Sequence, residues 1–451
     1  MTRRQFAGTA LGAAAAAGAT RKPNVIVIMT DDQGAHDLGC YGARDLKTPH
    51  IDGLASRGAR FTNWYSNAPV CAPSRAALMT GRYPIRAGVP TNGPPLVQKQ
   101  KTTATLLKSA GYATGLIGKW HLGDRGDLLP NAHGFDYFYG FHPGCVDFYS
   151  HRFYWGETGK AGQVNYHSLY RNRNEIWEDG EYLTDRIAEE TCGFIRRNWS
   201  QPFFLTVTFN APHYPMHAPE RYIRRFPGME EERRTYAAML AAVDDGVGEI
   251  VRTLEQHGLT NDTLIIFIAD NGATTEARAG LNQRPAIAGD NSPYRGFKFS
   301  LFDGGMHVPG IMCWPGTIPA GQAVHEVAMT MDILPTVCAA AAVKSPSGHA
   351  LDGKDILPLA AKGARSPHEC IFWENGAQLA ARKGTWKLVL SGNPYGRTPE
   401  ERRPLEGENA VWLSDLSVDP GETRNLRHRH PQVVDELASR IEAWRKDVRS
   451  E

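Results

Sequence analysis

No stretch of this sequence is long and apolar enough for a convincing membrane helix, no Cys-x-x-Cys occurs, no internal repeat is visible, and neither sign of charge dominates. Each absence excludes something. The one candidate run, Ala7 to Ala19, is alanine and glycine, which supply little transfer energy into lipid, and it is shorter than the roughly 18 strongly apolar residues a span needs. Fifty Lys and Arg against 48 Asp and Glu leave a formal charge of +2, which is neither a nucleic-acid footprint nor a polybasic anchor. No nucleic-acid partner and no stable membrane anchor are therefore expected. The seven cysteines, Cys40, Cys71, Cys145, Cys192, Cys313, Cys338 and Cys370, lack the paired spacing of a zinc site.

What is present is a chain of 451 residues, 41% hydrophobic and 22% charged, able to bury a large core. Its length suits one large domain with a smaller companion. Arg3-Arg4-Gln5-Phe6 ahead of the Ala/Gly run reads as a twin-arginine export signal over residues 1–20, which places the mature protein in the periplasm or outside the cell. An odd number of cysteines in an exported protein leaves at least one with a task other than pairing.

Asn24 to Met29 is a continuous apolar, β-branched run closed by Asp31-Asp32, the pattern of a strand buried on both faces. Similar runs recur at Ala113–Gly118, Phe203–Phe209, Leu264–Ala269 and Val308–Trp314. Helical patterns lie at Thr48–Gly58, Cys71–Arg82, Thr102–Gly111, Glu231–His257 and Val327–Ala342. This alternation predicts an α/β fold with a large, mostly parallel mixed sheet between helices, its ligands held at the carboxyl ends of the strands. Beyond about Ser345 the pattern changes. Cys370–Trp373, Leu379–Leu390 and Ala410–Leu416 read as antiparallel strands and Gln432–Val448 as a closing helix, so residues 21–345 form one domain and 346–451 a smaller α+β subdomain.

Asp31 and Asp32 follow one strand and Asp270 and Asn271 another. Each pair alone is an ordinary turn former, but at matching strand ends the three carboxylates repel one another and call for a cation. An oxygen-only donor set suits calcium or magnesium. Cys71-Ala72-Pro73-Ser74-Arg75 starts a helix, whose dipole and N–H groups favour an anion, and Arg75 projects one turn later.

Cys71-Ala72-Pro73-Ser74-Arg75 with Thr80-Gly81 resembles the signature of the formylglycine-dependent sulfatases, of the alkaline phosphatase-like superfamily. Asp31-Asp32-Gln33-Gly34, Gly118-Lys119-Trp120-His121, Pro212-His213, Asp270-Asn271-Gly272 and Arg295-Gly296-Phe297-Lys298 before Gly304-Gly305 follow in that family's order. Gly134 to Gly140, Asp147 to His151 and Tyr294 to Gly305 resemble N-acetylgalactosamine-4-sulfatase-like, arylsulfatase-type members. Asp303 departs from the glutamate usual there.

The resemblance implies that Cys71 is oxidised to Cα-formylglycine by a separate maturation enzyme, and that one calcium ion, rather than magnesium, is held by Asp31, Asp32, Asp270, Asn271 and residue 71. The hydrated aldehyde would attack the sulfur of a sulfated carbohydrate or aryl sulfate ester, and its second hydroxyl would then expel sulfate and restore the aldehyde. By the same resemblance Arg75 orients the diol, Lys119 and Lys298 neutralise sulfate oxygens, His121 takes a proton from the second hydroxyl, and His213 serves the leaving oxygen. Asp147 and His151, within the aromatic stretch 138–155, are candidate substrate contacts. A phosphodiesterase or phosphonate monoester hydrolase of the same superfamily is the alternative chemistry, and an unmodified Cys71 would leave a noncatalytic sulfated-glycan-binding protein.

Overall fold

The computed structural model describes residues 21–154, 165–277, 279–345 and 348–450. The expected export segment 1–20 and Trp155 lie outside the described residues. Among those described, no helix is long and apolar enough to cross a membrane.

Asn24–Thr30 is buried along its whole length. Val25, Val27 and Met29 enter one core and Ile26 and Ile28 the other, because successive side chains of a strand point to opposite faces. Both faces are apolar, so the run carries no polar alternation. The strand sits near the middle of a ten-stranded sheet. From one edge the order is Gln322–Val324, Ala59–Phe61, Gly310–Cys313, Thr263–Ala269, Asn24–Thr30, Phe203–Thr208, Ala113–Lys119, Tyr137–Phe141, Tyr170–Arg171 and Asn174–Glu175. The five strands from Thr263–Ala269 to Tyr137–Phe141 are mutually parallel. Gly310–Cys313 runs antiparallel to both of its neighbours.

Helices Pro49–Arg57, Leu183–Asn198 and Glu231–Gln256 cover one face, and Cys71–Thr80, Thr103–Ser109 and Ile333–Ala340 the other. A second sheet of four antiparallel strands, Ile371–Asn375, Gln378–Lys383, Trp386–Leu390 and Val411–Asp415, packs on the closing helix Pro431–Asp447 through Ala381, Leu388, Leu413, Leu437 and Ile441.

Two elements differ from the sequence expectation. Leu379–Leu390 is not one strand but two arms of a hairpin that turns at Gly384, whose φ of 59° suits glycine. Val327–Ala342 is not helical throughout. Ala328–Met329 pairs in parallel with Trp64–Tyr65, and the helix begins only at Ile333. The Asp332 carboxylate accepts from the Met329 N–H at 2.8 Å, so its side chain closes the turn that separates strand from helix.

The two sheets are tied by buried charge. Lys387 Nζ donates to Asp303 Oδ1 at 2.5 Å and to Glu422 Oε2 at 3.3 Å, and all three side chains are buried. Tyr65 O–H donates to Asp303 Oδ2 at 2.7 Å, and Arg382 donates to the Tyr65 oxygen and to Asn63. Burial opposes the Asp303 carboxylate, but Lys387, with smaller help from His307 and Arg382, holds the group below the usual aspartate range. Glu422, also desolvated and beside that charge, is pushed up to about 7. All seven cysteines are unbridged.

Candidate active site

Four adjacent parallel strands deliver polar groups to one edge of the large sheet. Thr30 and Ala269 are register partners, so Asp31-Asp32 and Asp270-Asn271 leave the sheet side by side. His213 follows Phe203–Thr208, and Lys119 and His121 follow at the end of Ala113–Lys119. Gly118, with φ 115°, is the residue that lets this last strand close on its neighbour, since a Cβ there would stand 1.9 Å from Thr208 O. Helix Cys71–Thr80 lies against this edge with every residue buried and ends at Gly81 in the left-handed conformation.

The side chains meet at that edge. Cys71 Sγ is 3.6 Å from Asp31 Oδ1, and Asp31, Asp32, Cys71 and His213 offer donor atoms within 4.8 Å of one another. Arg75 Nη2 reaches Asp270 Oδ2 at 2.8 Å and Asp31 Oδ2 at 3.4 Å. Lys119 Nζ lies 2.6 Å from Asp31 Oδ2. Lys298 Nζ bridges Asp32 Oδ2 at 3.0 Å and Glu276 Oε2 at 2.9 Å, and lies 3.5 Å from His213 Nε2.

The helix start contributes less to anion attraction than expected. Pro73 has no N–H, the Ala72 N–H is taken by Asn92 Oδ1 at 3.0 Å, and the Ser74 N–H closes on Val70 O. The attraction comes instead from Arg75, Lys119 and Lys298, all three nearly inaccessible to solvent.

The donor set fits a hard cation. Asn271 Nδ2 donates to Asp32 Oδ1 at 2.7 Å and to Gly272 O at 2.9 Å. That orientation leaves Asn271 Oδ1 buried with no hydrogen-bond partner among the described residues, an orphan worth about 1–3 kcal/mol unless a cation meets it. Burial, followed by repulsion from Asp31 and other nearby carboxylates against the pull of Lys298, raises Asp32 to about 7, the behaviour of a carboxylate short of positive charge. Counting Asp31, Asp32, Asp270 and Glu276 against Arg75, Lys119 and Lys298, the cluster carries one net negative charge. A divalent ion makes it one positive, and a singly charged ester then makes it neutral.

The protonation states are set by burial. The Cys71 thiol is pushed well up, chiefly by desolvation, so as a thiol it is no nucleophile at neutral pH. His121 and His213 are pushed well below the usual range by desolvation and then by the neighbouring lysines, so both rings are neutral. His213 Nδ1 donates to Tyr214 O at 2.7 Å, which leaves the Nε2 lone pair toward Lys298.

These groups open into a cavity of about 750 Å3, lined among others by Cys71, His121, His213 and Lys298. Residues 23–343 match the sulfatase family profile. The chain belongs to the sulfatase family. Sulfatases are hydrolases of sulfate esters, and they generally use a formylglycine and a metal ion. Arylsulfatase J of Mus musculus is 31% identical, with 95% of this chain and 76% of the mouse protein covered. N-acetylgalactosamine-6-sulfatase of Sus scrofa is 34% identical, with 82% and 72% covered. The crystal structure of Ps i-CgsB in complex with k-i-k-neocarrahexaose superposes with a TM-score of 0.82 at 30% identity, covering 94% of this chain and 93% of that one. The fold is accordingly the alkaline phosphatase-like one.

Two residues expected at the substrate stand elsewhere in this sulfatase. Asp147 accepts from the Tyr149 and Ser150 N–H groups and pairs with His217, and His151 is wholly buried with Nε2 on Glu181 O. Neither lines the cavity. Phe153 and Tyr166, stacked at 5.3 Å, form that part of its wall. Sequence reasoning missed Glu276, His142 and Asp124, which also line it. Glu276 lies five residues beyond Asn271 in a loop, and no periodicity marks it. The dense aromatics of residues 137–154 were the available signal for this wall.

Proposed function

We propose that this sulfatase cleaves sulfate monoesters of carbohydrates through a formylglycine made from Cys71, with one calcium ion held by Asp31, Asp32, Asp270 and Asn271. The observation that carries the reading is the convergence of Cys71, four oxygen-bearing ligands and three buried cations on one strand edge. A hydrated formylglycine there would supply the nucleophilic oxygen, and calcium held by these oxygens would lower the negative charge it faces; calcium fits better than magnesium because it accepts irregular oxygen donor sets.

The chain's own residues do the rest. Arg75, buried and ionised, holds Asp31 and Asp270 in place beside residue 71. Lys119 and Lys298 neutralise sulfate oxygens, their charge maintained by the carboxylates they touch. His121, neutral and with Nδ1 unpartnered among the described residues, accepts the proton of the second hydroxyl. Lys298 Nζ holds the leaving oxygen and hands it a proton, and the His213 Nε2 lone pair, 3.5 Å away, orients that ammonium. The carbohydrate preference rests on the Ps i-CgsB and N-acetylgalactosamine-6-sulfatase likenesses and on the aromatic wall. Export through the twin-arginine route, with a maturation enzyme as partner, completes the proposal.

Two measurements test it. Mass analysis of the peptide containing Cys71 from the native host should show the aldehyde in place of the thiol, and a persistent thiol would make the protein a glycan binder. A panel of 4- and 6-sulfated saccharides beside matched phosphate and phosphonate esters should show turnover of sulfates first. Faster phosphorus ester hydrolysis would overturn the reading.

A further inference from the structure

Beside the segment that carries Phe153, remote in chemistry from the oxygen-rich centre, two imidazole nitrogens with no hydrogen-bond partner among the described residues converge with one carboxylate. His151 sits on the segment whose backbone bridges join Val146 to Phe153 and Arg152 to His167. Its ring is wholly buried and its φ is 53°, an uncommon conformation for a histidine. Nε2 lies 3.1 Å from the Glu181 carbonyl, which can only accept. The proton is therefore on Nε2, and Nδ1 is a lone pair, buried and with no hydrogen-bond partner among the described residues.

His167 repeats the arrangement. Nδ1 lies 2.9 Å from Glu175 Oε1 and donates to that carboxylate, so in the neutral ring Nε2 carries the lone pair, again buried and unbonded among the described residues. Trp177 stacks on the ring at 3.8 Å and fixes its plane. Nε2 stands 3.7 Å from Asp179 Oδ1, beyond a hydrogen bond. Donor atoms of His151, His167 and Asp179 all fall within 4.8 Å of one another. Two ligands about 2.0–2.1 Å from one tetrahedral ion stand roughly 3.3 Å apart, so a closure of at most about 1.5 Å among the three donors completes the site.

We infer that His151, His167 and Asp179 bind a second metal ion, a transition metal of the zinc class, which fastens the wall carrying Phe153 and Tyr166. Two imidazoles and one carboxylate select zinc over calcium. The Glu181 carbonyl and the Glu175 carboxylate fix the two tautomers as outer partners do in zinc sites. Asp179 is half exposed and gives the ion an entry, with water as fourth ligand. Because Phe153 N–H donates to Tyr166 O and Ser168 N–H to His151 O, the ion would clamp the two strands that present the stacked pair to substrate.

The test is calorimetric titration of Zn2+ into untagged, calcium-saturated protein. One equivalent should bind and raise the melting temperature, and Co2+ in its place should give the visible bands of a four-coordinate ion with nitrogen ligands. His167→Ala and Asp179→Asn should each weaken Zn2+ binding at least tenfold, and Glu175→Gln should weaken it roughly tenfold. Asp31→Asn and Asp270→Asn should leave it unchanged. Should His167→Ala fail to fold, the surface change Asp179→Asn still decides. No Zn2+ uptake by the calcium-saturated protein overturns the inference, as does uptake untouched by Asp179→Asn or abolished by Asp270→Asn.

Discussion

Replacing Lys387 by methionine removes the cation that joins the two sheets while keeping most of its volume. Asp303 and Glu422 remain, 2% and 0% exposed, with Arg382 reaching them only through Tyr65. With its partner gone, Asp303 folds protonated. From an ordinary value of 3.8 to pH 7 is about 3 units, and at about 1.4 kcal/mol each the variant loses about 4 kcal/mol. That agrees with about 3–5 kcal/mol for breaking a buried pair. The sign reverses between the two proteins. In the wild type Asp303 is held low and contributes stability at neutral pH that is lost in acid; in the variant it is raised, and its cost shrinks as pH falls toward 3.8. Urea denaturation at pH 7 and pH 5 should therefore give a loss of about 4 and about 2 kcal/mol. A loss below about 1 kcal/mol at pH 7, or the same loss at both pH values, refutes the electrostatic account. The damage should also reach the Asp270-Asn271 loop, because Gly305 O accepts from the Gly272 N–H at 3.1 Å beside Asn271.

Cys71→Ala should abolish turnover while moving the melting temperature little, since at most one small polar or sulfur atom is lost from the buried side chain; appreciable activity in pure protein would contradict the nucleophile assignment. Lys298→Met should lower kcat by about 10^2 to 10^3, the usual loss for one preorganised charge on the reacting group, and steady-state kinetics would expose a purely structural lysine as a change in stability alone. Asn271→Ala removes the orphaned oxygen and should weaken calcium binding by about 1.5–3 kcal/mol, roughly tenfold to a hundredfold; calorimetry finding equal affinity would place the ion elsewhere. Burial lowers His133 to about 4, so it is neutral when folded and the unfolded chain takes up its proton first as pH falls below about 6.5. Acidification from pH 7 to 5 should thus cost about 2 kcal/mol at this residue, and His133→Gln should melt with correspondingly less dependence on pH.

The sequence was enough for the strands that carry the centre. A run such as Val25 to Met29, apolar without alternation, can only be a strand covered on both sides if short, and polar residues directly after it must then lie at the sheet edge. Leu379–Leu390 and Val327–Ala342 were misread because one glycine turn and one aspartate side-chain bond decide them, and neither changes the hydrophobic pattern around it. Asp147 and His151 were misplaced for a related reason: an aromatic stretch announces a wall but not which side of it faces solvent.

The residues by themselves determined the chemistry on offer: a signature cysteine, hard oxygen donors at two strand ends, and basic side chains in a fixed order. Which of these groups touch was decided only by tertiary structure. Register between parallel strands set Asp31 beside Asp270, a loop far along the chain brought Glu276 to Lys298, and the turn after Tyr149 carried His151 behind the wall to meet His167. Spacing along a chain constrains neighbours within one element, whereas contacts between distant elements depend on how the whole sheet and its helices pack.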